Sequence, residues 1–149
     1  MITYHDGDVL KSGADIIAHQ CNLEGVFGGG LARQIAKIYP RCETETQAYI
    51  NRRKRYVLGN YYLYVGYKIR VANCFTQNVA FKTEYGDIRS CFSILKGFCR
   101  NVKLKTIAVP YNYGCGIATG EWDKVLAVFE ELFADDKNID FQIWKWEGV

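Results

Sequence analysis

Three consecutive glycines, Gly28, Gly29 and Gly30, constrain this chain more than any other feature. The apolar pattern of residues 31–39 follows them at once and predicts an amphipathic helix. Adjacent glycines contribute no side chain to a core and leave backbone N–H groups open to close approach, and the helix directs the positive end of its dipole to the same place. These features favour an anion site, most often one for phosphate. A flexible loop before a helix is the plainer alternative.

Strand-like and helix-like patterns alternate along the chain, with one hairpin in the middle. Strands are predicted at 2–5, 14–20, 61–65, 68–75, 106–109 and 139–144, and helices at 31–39 and 43–51, after Thr83 and from Trp122. A chain of 149 residues suits one domain. The prediction is therefore a single α/β domain over residues 1–149, a three-layer α/β/α sandwich around a mixed six-stranded or similar sheet.

Composition narrows the function classes and the expected compartment. The formal net charge of +3 suits an anionic ligand. The six cysteines form no C-x-x-C pair and only two histidines are present, which argues against a zinc site. Neither a leader peptide nor a membrane span is recognisable. We expect a monomer in a reducing cytoplasm, with no metal or cofactor and no membrane partner. The basic run at 52–55 is typical of a solvated helix end rather than a nucleic-acid patch.

Ligands of open α/β sheets bind beyond the carboxyl ends of the strands. The loops expected there are residues 6–8, 21–30 and 112–120, and the last two are glycine loops. Two such loops that face each other could hold a diphosphate from both sides. Neither has the Gly-Lys-Ser/Thr of a P-loop or the G-x-G-x-x-G pattern of dinucleotide-binding folds, so those enzyme classes are disfavoured.

Taken together, these motifs resemble those of the macrodomain family, which binds ADP-ribose, and the resemblance covers nearly the whole chain. The matching elements are Gly7-Asp8-Val9, Asn22, the run from Gly28 to Ala32, and Gly114-Cys115-Gly116-Ile117. The form His-x-Cys-Asn, Gly-Gly-Gly, Tyr-Pro resembles the branch that holds ADP-ribose-1″-phosphate phosphatases and ADP-ribosyl-glutamate hydrolases.

The resemblance implies a role for each matched position. Asp8 would accept from the adenine amino group, Trp144 would stack on adenine, and Asn22 would contact the distal ribose. The glycine loops would approach the ribose and wrap the diphosphate with backbone amides. The ligand-binding residues that it implies are Asp8, Val9, Gln20, Asn22, Gly28, Gly29, Gly30, Leu31, Tyr113, Gly114, Cys115, Gly116, Ile117 and Trp144. His19 and Asn22 are the catalytic candidates.

Each of these roles has a structural alternative. Asp8 could close an Asx turn, Asn22 could cap its own loop, and Trp144 could belong to the core. The intrinsic pKa of a histidine suits acid–base work, but His19 could equally be a satisfied strand residue.

This sequence lacks the two catalytic residues of the hydrolase subgroup of the family, a lysine and an aspartate. The lysine of the loop after the fourth strand is replaced by Gln77 or Asn78, and the aspartate after Gly-Cys-Gly is replaced by Ala118. Lys82 and Glu121 are the nearest substitutes in sequence. Two hypotheses follow, each with ADP-ribose or a derivative as ligand and an ADP-ribosylated protein as a further partner. One is an enzyme acting on the distal ribose, most simply a phosphatase, which the sequence favours slightly; the other is a non-catalytic reader. A hydrolase that removes ADP-ribose from protein or DNA is a further alternative.

Overall fold

A mixed six-stranded sheet forms the centre of the computed structural model, which describes residues 1–116 and 118–146. The strand order is β1-β6-β5-β2-β4-β3, and only β3 runs antiparallel to its neighbour. Because the other five strands are parallel, their carboxyl ends lie at one edge. The strands are β1 (Ile2–Asp6), β2 (Ile16–Cys21), β3 (Tyr61–Gly66), β4 (Ile69–Phe75), β5 (Thr106–Pro110) and β6 (Asp140–Lys145).

Four helices cover the two faces of this sheet. They are α1 (Gly30–Ile38), α2 (Pro40–Arg53), α3 (Tyr85–Val102) and α4 (Trp122–Phe133), with short 3₁₀ turns at Val9–Lys11 and Lys54–Val57. One buried cluster joins the sheet to α3 and α4 through Phe92, Leu95 and Phe129. The other joins the opposite face to α1 and α2 through Ile35 and Cys42. The predicted three-layer α/β/α sandwich is confirmed.

The helix boundaries differ from the prediction by one to three residues, and the largest difference is at the start of α2. The structure ends α1 at Ile38, with Tyr39 as its C-cap, as the proline that follows requires. It begins α2 at Pro40, three residues before the predicted start at Glu43. The reason is that proline suits the first turn of a helix, where a backbone N–H has no partner to lose.

The apolar face predicted for α3 is buried, including the thiols of Cys91 and Cys99. These cysteines behave as small core residues. Within the described part of the chain, no helix has the length and the apolar character to cross a membrane.

Candidate functional site

A cleft in two parts lies at the carboxyl edge of the sheet. The larger compartment, about 620 Å³, lies between the loop after β2 and the loops after β4 and β5. The smaller compartment, about 360 Å³, lies beside the loop after β1 and the end of β6. Five residues line both of them, so the two compartments form one continuous groove: Gly30, Leu31, Pro110, Tyr111 and Asn112.

The first glycine loop presents a row of backbone donors to this groove. The first helical hydrogen bond of α1 runs from the amide of Arg33 to the carbonyl of Gly29. The five amides of residues 28–32 therefore have no acceptor within the described residues. Phe27, just before them, donates its amide to the Glu43 carboxylate over 2.7 Å. Unpaired amides at a helix N-terminus are the donors that an anion needs.

The second glycine loop, after β5, faces the first. Within the described residues, the amides of Gly114 and Gly116 have no protein acceptor, whereas the amide of Cys115 donates to the carbonyl of Asn112. A Cβ at Gly120 would lie 2.4 Å from the carbonyl oxygen of Gly114, so this close approach requires glycine. The loop thus adds further donors from the opposite side of the groove.

Thr83 fixes the second glycine loop from the β4–α3 connection. Its hydroxyl donates to the Gly114 carbonyl over 2.6 Å, and its amide donates to the Ala118 carbonyl over 3.2 Å. The Gln20 side chain donates to the hydroxyl and carbonyl oxygens of Thr76 and accepts from the Gln77 amide group. The end of β2 and the loops after β4 and β5 are therefore held together by side-chain hydrogen bonds.

No charged side chain lines the larger compartment within the described residues. His19 lies on its floor and is almost fully buried, with Nε2 2.7 Å from Oδ1 of Asn73. Burial lowers the pKa of the His19 imidazole to about 4, against a smaller raising effect of the Asn73 bond. Burial also raises the pKa of the adjacent Cys21 thiol well above its usual range. Both groups are neutral at pH 7, so neither is a ready proton donor or thiolate nucleophile.

The smaller compartment is lined by the carboxylate of Asp8, the indoles of Trp144 and Trp146, and Lys145. Oδ1 of Asp8 accepts from the amide of Leu10 over 3.0 Å, while Oδ2 has no partner within the described residues. The Trp144 ring stacks on His5, with centroids 4.8 Å apart and planes at 11°, and its Nε1 donates to Gln142. Trp144 packs partly against the core and also lines the compartment.

Sequence comparison finds two relatives, and no family model matches the chain. An uncharacterized 17.5 kDa protein from the tk-vs intergenic region of enterobacteria phage T4 is 28% identical over 157 aligned positions, covering 100% of this chain and 99% of that protein. The ADP-ribose 1″-phosphate phosphatase of Saccharomyces cerevisiae strain YJM789 is 48% identical over 46 residues, which is 30% of this chain and 26% of that protein.

Solved structures decide the fold. The macrodomain of Mycobacterium tuberculosis DarG superposes with a TM-score of 0.83 at 23% identity, covering 97% of each chain. The chain has the macrodomain fold. A Bacteroides thetaiotaomicron protein of unknown function gives a TM-score of 0.84 at 25% identity over 97% of this chain and 98% of that chain. Thermosipho africanus DarTG, solved in complex with ADP-ribose, gives 0.80 at 22% identity over 93% of this chain and 40% of that chain.

The groove brings together most of the residues that the sequence singled out. The smaller compartment is lined by Asp8, Val9 and Trp144, and the larger by His19, Gln20, Asn22, Gly28, Gly29, Tyr113, Gly114 and Gly116; Gly30 and Leu31 line both. Cys115 lines neither compartment: its side chain packs against the core on the α3 and α4 side, and its thiol donates to the carbonyl of Tyr113. Ile117 lies outside the described residues.

Asp8 and Asn22 both have the structural roles that were considered as alternatives. Asp8 caps the 3₁₀ turn through the Asx-type bond to Leu10. Asn22 accepts from the amides of Glu24 and Val26 and donates to the Val26 carbonyl, so it organises the loop that carries the glycines. These bonds leave one oxygen of Asp8 available to a ligand.

Several lining residues were not singled out from the sequence as part of the site. Phe81, Tyr111 and Asn112 line the larger compartment, and Phe81 and Asn112 adopt left-handed backbone angles. The one signal available for Tyr111 and Asn112 was their position directly after β5. Lys82 and Glu121, the substitutes considered for the missing hydrolase pair, are exposed and do not line the groove, and Glu121 pairs with Lys124.

Proposed function

We propose that this macrodomain binds ADP-ribose, or a derivative of it, in the two-compartment groove. The observation that carries the proposal is the pair of amide rows that line the larger compartment, from residues 28–32 and from the loop of Gly114 and Gly116; Gly30 and Leu31 also line the smaller compartment. A diphosphate needs donors on both sides and needs no formal positive charge when backbone amides surround it. The structure of Thermosipho africanus DarTG in complex with ADP-ribose supports the same ligand.

The two compartments differ in a way that suits the two halves of this ligand. The smaller one offers the free oxygen of Asp8 for an exocyclic amine and the Trp144 indole for a purine ring. The larger one is uncharged and holds polar groups on His19, Asn22 and Gln77. Neutral hydrogen-bonding groups suit a ribose, whose hydroxyls both donate and accept.

Calorimetric titration tests this proposal. We expect ADP-ribose to bind with a Kd near 1 μM, about −8 kcal/mol, and AMP to bind much more weakly. AMP would occupy one compartment and lack both the second phosphate and the distal ribose. Equal affinities for the two ligands would contradict the proposal, because the amide rows and the larger compartment would then contribute nothing.

Trp144→Ala should weaken ADP-ribose binding by about 1–3 kcal/mol, the range for a base stacked on an aromatic side chain. His5 covers one face of this ring, so the adenine would use the opposite face or the edge. Trp146→Ala is the matched control, because Trp146 lines the same compartment. If Trp144→Ala left the Kd for ADP-ribose unchanged and Trp146→Ala raised it, Trp146 would be the residue that stacks on adenine.

A second candidate function is removal of the phosphate from ADP-ribose-1″-phosphate. The observation that favours it is the 48% identity over 46 residues with the Saccharomyces cerevisiae ADP-ribose 1″-phosphate phosphatase. In this reaction a water held by Asn22, beside His19 and the glycine loop, would attack the phosphorus while the bond from phosphorus to the 1″-oxygen breaks. The water would lose a proton to His19 or to solvent, the 1″-oxygen would take up a proton and leave as the hydroxyl of ADP-ribose, and unpaired amides would stabilise the negative charge of the transition state. The neutral His19 is a weak base, which limits the expected rate.

Product analysis separates the enzyme from the reader. We expect slow release of phosphate from ADP-ribose-1″-phosphate and no release of ADP-ribose from modified glutamate. The second reaction requires a nucleophile or base, and the larger compartment presents neither lysine nor carboxylate within the described residues. Rapid release of ADP-ribose from modified glutamate would contradict this assignment. Tight binding of ADP-ribose without turnover of either substrate would favour a non-catalytic reader.

We further propose that the protein is a monomer in the cytoplasm, with ADP-ribosylated protein as a further partner. The described cysteines support a reducing compartment, because all six are free thiols and five are buried.

A further inference from the structure

A buried polar cluster lies on the floor of the larger compartment, on the α1 and α2 side of the sheet. It consists of His19 and Cys21 from β2, Asn73 from β4 and Cys42 from α2. His19 and Asn73 face each other directly in the register of the two strands. All four residues are nearly or fully buried, so each hydrogen bond among them is shielded from water.

The orientation of the Asn73 amide group is fixed by its backbone partners. Its Nδ2 donates to the carbonyl of Tyr62 over 3.0 Å and to the carbonyl of Val71 over 3.2 Å. A flipped amide would point its oxygen at both carbonyls, which would be repulsive. Oδ1 therefore faces His19, and because a carbonyl oxygen only accepts, Nε2 must carry the proton.

The other ring nitrogen of His19 is left as an acceptor. Within the described residues, Asp136 Oδ2 is the only fully buried side-chain oxygen or nitrogen without a hydrogen-bond partner. Nδ1 of His19 also has no hydrogen-bond partner among these residues. Because it is not one of the fully buried unpaired atoms, it must be in contact with open space. The open space beside His19 is the larger compartment.

We propose that Asn73 positions His19 as its Nε2–H tautomer, so that Nδ1 accepts a hydrogen bond from a hydroxyl group of the distal ribose. The inference rests on the proposed function for the identity of the ligand. Asn73 acts through His19 and is a positioning residue, whereas His19 contacts the sugar. The pair would favour a ligand that carries a hydroxyl-bearing group beyond the diphosphate over one that ends at the diphosphate.

Nitrogen-15 NMR of the histidine rings tests both halves of the proposal. The chain has two histidines, and a His5→Gln sample assigns the signals. In the free protein at pH 7 we expect His19 to show a protonated Nε2 and an unprotonated Nδ1. ADP-ribose should shift the Nδ1 resonance to lower frequency, as acceptance of a hydrogen bond does. ADP, which has both phosphates but no distal ribose, should leave it in place.

Two variants separate the positioning role from a general loss of stability. Asn73→Leu should abolish the single tautomer and weaken ADP-ribose binding by about 2- to 10-fold, the value of one hydrogen bond, with ADP binding unchanged. Cys42→Ala removes another donor to Asn73 Oδ1 and should keep the tautomer. The wild-type spectrum decides the tautomer even if the leucine variant does not fold.

The contrary results are distinct. A protonated Nδ1 or a tautomer mixture in the free wild-type protein would overturn the role of Asn73. An Nδ1 resonance that ADP-ribose leaves unmoved, or that ADP moves equally, would overturn the sugar contact. Absence of any calorimetric signal with ADP-ribose would overturn the proposed function and with it the sugar contact. The role of Asn73 would still be tested, because nitrogen-15 NMR determines the His19 tautomer in the free protein.

Discussion

Gly29→Glu is expected to abolish ADP-ribose binding, by about 10³-fold or more, while leaving the fold intact. Gly29 is the exposed N-cap of α1, its backbone angles are in the extended region, and a Cβ there would meet nothing within 4 Å. The protein therefore accommodates the side chain. The new carboxylate would project beside the unpaired amides of residues 28–32, occupy the space of the diphosphate and repel its charge.

Gly97→Glu is the matched control for this variant. Gly97 is an exposed glycine of α3 with nothing within 4 Å of a Cβ, and it does not line the groove. Both variants add the same charge, so calorimetry on the pair separates a local effect from a change in net charge. Circular dichroism reports the fold. A folded Gly29→Glu protein that binds ADP-ribose normally would place the ligand elsewhere.

Much of this architecture could be predicted from the sequence because its signals are local. The apolar face of α3 and the strand at β5 follow from the spacing of side chains along a short segment. The three glycines before α1 predict open backbone donors for the same reason, since no neighbouring side chain can cover them. The rule that ligands bind beyond the carboxyl ends of parallel strands then places both glycine loops at one edge.

The remaining part of the site depends on pairings that are distant in sequence. His19 meets Asn73 because β2 lies beside β4 in the sheet, and this neighbour relation has no local signature. Thr83 reaches the carbonyl of Gly114, 31 residues away. The amide of Cys115 donates to the carbonyl of Asn112 within the same turn, and the residue types of the loop do not indicate this bond. Sequence reasoning therefore located the groove more readily than the hydrogen bonds that determine what each lining residue can do.

The free energy of unfolding is expected to fall by roughly 3 kcal/mol as the pH is lowered from about 6.5 to about 4, because of His19 alone. Above this window the imidazole is neutral in both the folded and the unfolded chain. Within it, the unfolded chain binds a proton at His19 and the folded protein does not, so acid favours unfolding. Below it, both states are protonated and the loss is complete.

The neighbours of His19 do not titrate in the same window. Burial raises the pKa of the Cys42 thiol to about 12, and it raises the pKa of the Cys21 thiol well above its usual range. Both thiols therefore stay protonated from pH 4 to pH 7. Asn73, the direct partner of Nε2, has no charge at any pH, so no buried anion is available to stabilise an imidazolium.

Urea denaturation of the wild type and two variants at several pH values measures the contribution of His19 to the free energy of unfolding. His19→Gln should flatten the pH dependence between 4 and 6.5, because its amide can still donate to Asn73 but cannot bind a proton. Val71→Ala, in the buried apolar cluster on the α1 and α2 side of the sheet, should lower the free energy of unfolding at every pH and keep the wild-type slope. If His19→Gln retained the full slope, the imidazole would be charged in the folded protein at mildly acid pH. Its Nδ1 would then be a donor in that range, and the acceptor role at the floor of the groove would be confined to higher pH.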